Sequence, residues 1–188
     1  MLVGGKCDTG RSYPSLRVDA EYDPDLASDA SASIHEAALS VAQTFTVLRN
    51  GEFSEFDFVI TQGAGGSAGM LRIDVRPVLV TGEPEPDDMN SIINPIEIDT
   101  TDLPDTLVDE FTNFELAEDP DREVFAGEQY AIVVTFLSRT AGNINEPIAL
   151  VLGRAGNEYM DGSSSLDPDG MGFTNNLADY FFRTYVLR

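Results

Sequence analysis

Hydrophobic and polar positions along this chain alternate with a period of two, and no long segment carries the helical period. The strongest run is Phe125 to Ser138, Phe-Ala-Gly-Glu-Gln-Tyr-Ala-Ile-Val-Val-Thr-Phe-Leu-Ser. After a turn at Gly127-Glu128-Gln129, the side chains of Tyr130, Ile132, Val134 and Phe136 fall on one face. Ala131, Val133, Thr135 and Leu137 fall on the other, and they are mostly apolar too. A strand that is apolar on both faces is covered on both, so this segment is predicted to be central in a packed sheet.

Other segments read as half-buried strands. Phe53 to Thr61 sets Phe56, Phe58 and Ile60 inward against Glu55 and Asp57. Met70 to Val78 sets Leu71, Ile73 and Val75 against Arg72, Asp74 and Arg76. Shorter strands are predicted at Leu16 to Tyr22, Gln43 to Leu48, Ile96 and Ile98, Thr112 to Leu116, and Ile148 to Leu152, with Asp179 to Leu187 closing the chain. Asp23-Pro24-Asp25 ends the first of these, since proline cannot continue a ladder. Asn50-Gly51 marks a turn. Gly63 to Gly69 is expected to be a flexible hairpin loop, and it lacks the Lys-Ser/Thr that a phosphate loop needs. Helical turns are expected within Asp29 to Leu39 and within Asp87 to Ile93, the latter capped by Asp87. Together these give about eight to ten strands, the count of an all-β antiparallel sandwich. Residues 16–188 are read as one domain, and Met1 to Ser15 as an N-terminal arm.

Charge changes the picture of partners. The chain has 188 residues, with 33 acidic against 11 basic, and a net charge of −22. Such a balance disfavours nucleic acid and anionic membrane surfaces. It suits solubility, a saline habitat or bound divalent cations. Cys7 is the single cysteine, so no intrachain disulfide forms. Neither a secretory signal peptide nor a transmembrane span is legible.

A series of motifs resembles a known group. It runs Ala42-Gln43-Thr44-Phe45-Thr46-Val47 with Gly51, then Met70 to Pro77 and Gly82-Glu83-Pro84. Ala126-Gly127-Glu128-Gln129-Tyr130-Ala131-Ile132-Val133, Tyr159-Met160-Asp161-Gly162 and Asp179-Tyr180-Phe181-Phe182-Arg183-Thr184-Tyr185-Val186 follow. Over about residues 20–187, this order resembles bacterial exported β-sandwich modules of unassigned function, similar to jelly-roll carbohydrate-binding modules. The group usually carries a tryptophan near Phe111 to Phe114, and this chain has none. The resemblance implies a jelly roll, an extracellular or cell-surface location and a glycan ligand.

Candidate chemistry is sparse. His35 is the single histidine and lies in a polar stretch with no nucleophile signature, so it reads as a surface or capping residue. A zinc site of the usual type would need more Cys and His than the chain has. Calcium is the most serious cofactor candidate. Asp161, Asp167 and Asp169 cluster with Gly162 and Gly170 in one acidic stretch, and oxygen ligands on a flexible loop suit Ca²⁺. The spacing departs from an EF-hand at Ser165 and Asn176, and acidic turn residues are the alternative reading. Asp119-Pro120-Asp121 and Asp99, Asp102 and Asp105 are weaker metal candidates. Tyr159 is the residue expected to stack on a ligand, and Arg183 is expected to pair with a carboxylate. No pair of acids stands out for hydrolysis. The expectation is a non-catalytic surface binding or adhesion module that binds a glycan. The alternative is a structural subunit that assembles into a homo-oligomer through its N-terminal arm.

Overall fold

The computed structural model describes residues 15–22, 28–36, 39–86, 88–104, 110–116, 122–156, 159–176 and 178–188. The expected arm apart from Ser15, the break at Asp23-Pro24-Asp25, the cap Asp87, and the candidates Asp105 and Asp119-Pro120-Asp121 lie outside the described residues. The strands in the first half of the chain are β1 Leu16–Tyr22, β2 Ala30–Ile34, β3 Ser40–Thr46, β4 Gly51–Phe58, β5 Ile60–Gln62, β6 Ala68–Pro77 and β7 Ile96–Asp99. The second half holds β8 Thr112–Glu115, β9 Glu123–Val124, β10 Gln129–Ala141, β11 Ala149–Ala155, β12 Ser164–Asp167, β13 Thr174–Asn175, β14 Ala178–Tyr180 and β15 Phe182–Leu187. Every pairing between them is antiparallel.

One layer is a six-stranded sheet in the order β13-β12-β3-β10-β6-β7. The facing layer holds β1-β15-β4-β8, with β9 beside β4, and continues into β14-β11-β2, with β5 beside β11. β10 is the interior strand that its two apolar faces predict, with β3 on one side and β6 on the other. Its Tyr130, Ile132 and Val134 join the main core between the layers, with Phe45, Ile73, Phe56, Phe58, Phe114 and Phe182. Ala131 and Val133 face outward and are covered by Phe173. Aromatic rings bridge the layers, with Phe45 lying 6.0 Å from Phe53 and 5.9 Å from Phe182. This is an all-β antiparallel sandwich.

The join within the second layer is a ring of backbone bonds. The Val59 N–H donates to the Phe181 carbonyl (3.1 Å), the Phe181 N–H to the Leu152 carbonyl (3.2 Å), and the Leu152 N–H to the Val59 carbonyl (3.0 Å). β4 and β15 run side by side as far as Phe58 and Phe182. Beyond these residues they splay, and β5 and β14 both come to lie along β11. The ring satisfies the peptide groups that such a divergence would otherwise leave unpaired. The side chains of Val59, Leu152 and Phe181 form a small cluster of their own, with Tyr22, Phe111 and Leu150 against it.

Two local expectations are corrected. Among the described residues, Asp29 to Glu36 holds strand β2 rather than a helical turn, because its alternating Ala32 and Ile34 bury in the main core. Gly63 to Gly69 is not a hairpin loop, since β5 pairs with β11 while β6 pairs with β10 in the other layer. The segment crosses between layers, and Gly63 lies so close to the Pro147 carbonyl that a Cβ would collide with it. The turn expected within Asp87 to Ile93 is present as a 3-10 turn at Asp88–Asn90.

Candidate functional site

The outer face of the six-stranded sheet carries a groove. Side chains alternate along β6, so Arg72, Asp74 and Arg76 point away from the core, as the pattern predicts. They are not, however, a solvated polar face. Asp74 is fully buried, and Arg76 is 6% exposed. The Arg76 guanidinium clasps Asp74 through Nε (2.5 Å) and Nη2 (2.9 Å). Its Nη1 donates to the carbonyls of Glu85 (3.3 Å) and Pro86 (3.0 Å), which holds the 84–86 loop over the sheet. Arg72 approaches Asp74 from the other side, at 3.7 Å. The fork geometry of arginine suits this role, since one guanidinium neutralises a carboxylate and ties down a loop.

Opposite that loop stands the segment after β12. Asp167 Oδ1 accepts from the N–H groups of Gly170 (2.8 Å) and Gly172 (3.3 Å), and Asp169 Oδ1 accepts from Met171 N–H (3.1 Å). Gly170 turns the chain at φ 76°, and Phe173 folds back over Ala42, Ala131 and Val133. The two loops flank a groove of about 290 Å³. Its floor is Ser40 and Thr135, whose hydroxyls bond each other at 3.1 Å. Leu39, Arg76, Pro86, Phe136, Asp167 and Phe173 also line it, with Phe136 packed against the main core and Phe173 buried over Ala131 and Val133. Met171, 86% exposed, stands at the lip. The volume is near the lower bound of about 300 Å³ for small-molecule sites. Because Asp74 holds the charge of Arg76, the groove offers hydroxyls, a carboxylate and apolar walls rather than a free cation.

The structure brings together some of the sequence candidates and separates others. Asp167 and Asp169 share the loop, and their Oδ1 atoms close its turns. Asp161 is exposed and precedes β12, whereas Asp167 ends that strand, so the two sit at opposite ends of it. Four extended residues alone span roughly 10 Å. Among the described residues, no three His, Cys, Asp or Glu side chains come together in a group that could hold a metal ion. Asp99 caps the 3-10 turn at Thr100–Asp102 by accepting from Thr101 N–H (2.9 Å) and Oγ1–H (2.8 Å), which lowers its pKa.

Tyr159 is placed in the main core rather than on a binding face. Its ring meets Phe182 edge-on at 5.1 Å and 86°, and its backbone N–H donates to Asp179 Oδ2 (2.8 Å). Burial pushes its hydroxyl up to about 12. A ring packed in this way has no open face on which a sugar could stack. Arg183 does meet a carboxylate, Glu21 at 3.6 Å, and also lies 4.2 Å over the Phe111 ring. His35 is half-buried at the end of β2.

Sequence reasoning missed Ser40, Thr135, Arg76 and Phe173 as groove residues. The two-sided pattern of β10 was the available signal. A sheet whose outer face also carries Ala131 and Val133 needs a cover, and that cover forms the groove. Among the described residues, no helix is long and apolar enough to cross a membrane. The architecture defines the chain as an all-β sandwich protein. No protein-family model and no curated protein matches it.

Proposed function

We propose that this chain is a non-catalytic binding module of the jelly-roll, carbohydrate-binding kind. Its ligand is a hydroxyl-rich small molecule, a glycan unit, held in the groove between the 84–86 and 167–173 loops. The observation that carries this reading is the build of the groove. Paired Ser40 and Thr135 hydroxyls form its floor, Leu39 and Met171 are among its walls, and a buried Arg76–Asp74 pair holds one side in place. Hydroxyls and a carboxylate exchange hydrogen bonds with sugar hydroxyls, while half-buried Leu39 and exposed Met171 offer apolar surface to the sugar's C–H groups. The reading does not require Ca²⁺, since Asp167 and Asp169 close the loop through backbone N–H groups. An extracellular or cell-surface setting goes with this ligand class.

The test is a broad glycan array probed in Ca²⁺ and in EDTA, with Thr135→Arg alongside the unaltered chain. Binding that Thr135→Arg abolishes is expected, with its unfolding midpoint kept within a few degrees. Absence of binding to any glycan, or binding that the variant leaves intact, would sink the proposal.

A second reading, an assembly subunit, is favoured by a different observation. Loops at one end of the sandwich expose Leu48, Leu79, Val80, Phe125 and Met160, with Val80 fully open to solvent. Apolar side chains gathered at one end of an acidic molecule mark a contact surface. Light scattering behind size exclusion would show discrete oligomers that Val80→Asp dissolves. A strict monomer at high concentration would remove this reading.

A further inference from the structure

Five of the described arginines meet a carboxylate. Arg72 and Arg76 meet Asp74, Arg122 meets Glu52, Arg139 meets Glu36, and Arg183 meets Glu21. In a molecule with 33 acidic residues, a carboxylate partner is easy to find. Arg17, Arg49 and Arg188 nevertheless make no ion pair with a carboxylate among the described residues, and all three are exposed. They are not scattered. Together with Ser15 they line one cavity of about 370 Å³, beside the β1 edge and the loop that leads into β4.

Two of these guanidiniums are held in place. The Arg49 Nη1–H donates to the Val18 carbonyl, and the Arg188 Nε–H donates to the Asn50 carbonyl (3.2 Å). Each keeps further N–H groups for another acceptor, because a guanidinium carries five. A countercharge lies in Asp19, which is 4% exposed, accepts from Leu48 N–H (3.0 Å) through Oδ2, and has no partner for Oδ1 among the described residues. Asp19 lies within electrostatic reach of Arg49 and Arg188. Among the described residues, the lining carries three guanidiniums and no acidic side chain.

We propose that this cavity is an oxyanion site that takes a small multivalent anion: a phosphate, a sulfate or a polycarboxylate. Planar guanidinium forks match the paired oxygens of these groups. A net charge of −22 repels anions at long range, so the site works at ionic strengths where that repulsion is screened and the short-range hydrogen bonds remain. It lies at the opposite end of the strands from the 167–173 loop, and neither proposal depends on the other.

Isothermal titration with inorganic phosphate, sulfate and citrate, at constant ionic strength in low-chloride buffer, tests the site and separates the inorganic from the carboxylate sources. One saturable site per chain is expected. Arg17→Gln with Arg49→Gln should weaken it at least tenfold, and Asp19→Asn should tighten it several-fold by removing the countercharge. No saturable binding of any of the three anions would overturn the proposal, as would an unchanged affinity in the double arginine variant. Should that variant fail to fold, arginine Nε–Hε resonances of the unaltered chain decide. Shifts at Arg17, Arg49 and Arg188 on titration support the site, and shifts confined to other arginines overturn it.

Discussion

Arg76 shows how much one side chain determines on the outer face. It neutralises a fully buried Asp74 and anchors the 84–86 loop. Removing one member of a buried pair strands the other charge, which typically costs about 3–5 kcal/mol. Replacing both with apolar residues of similar size is often close to neutral. Arg76→Met is therefore expected to lower stability sharply in urea denaturation, and Asp74→Leu with Arg76→Met to recover most of the loss. Equal losses in the two variants would show that Asp74 is satisfied without Arg76. The sequence makes the outward direction of both residues legible through the period of two. Their burial was not legible, because the covering loops lie near Pro86 and Phe173, far along the chain. Tyr159 was misplaced for the opposite reason. Its local neighbours Met160, Asp161 and Gly162 read as a loop, whereas its ring is claimed by Phe182 of the final strand and Tyr22 of the first.

Among the elements, β10 and the ring at Val59, Leu152 and Phe181 organise the two layers. The bonds of the ring close on themselves, so loss of any member frees the peptide groups of the other two. Phe181, fully buried in the small cluster over this ring, is expected to lose about 3–5 kcal/mol on change to alanine. The amides of Val59, Leu152 and Phe181 should also exchange among the slowest in the chain, and should speed up together in that variant. Independent exchange at the three would contradict a shared unit. The strands themselves were largely legible. Alternation located β1, β4, β6, β7, β8, β10 and β11 to within a few residues. The join was not, because Val59 and Phe181 sit inside runs that read as continuous strands, Phe53 to Thr61 and Asp179 to Leu187. Splitting those runs takes a third strand, β11, which only the tertiary arrangement brings to them. β9, β12 and β13 were missed because two to four residues carry too little alternation to read.

At the scale of the molecule, the two ends of the sandwich differ. One end carries the 167–173 loop beside the outer-face groove. The other gathers exposed apolar residues and the three arginines that pair with no carboxylate among the described residues. The strong negative charge was legible from composition, but its uneven distribution was not. Arg17, Arg49 and Arg188 lie far apart in sequence and meet only because β1 pairs with β15, and because the turn after β3 returns to the same end. The central claim concerns the groove, and backbone amide resonances mapped during titration with a glycan selected from the array test it most directly. The account predicts shifts concentrated at Ser40, Thr135, Phe136 and Gly170 to Phe173, saturating with one ligand per chain. Shifts centred elsewhere on the sandwich, or none at any glycan concentration, would contradict it.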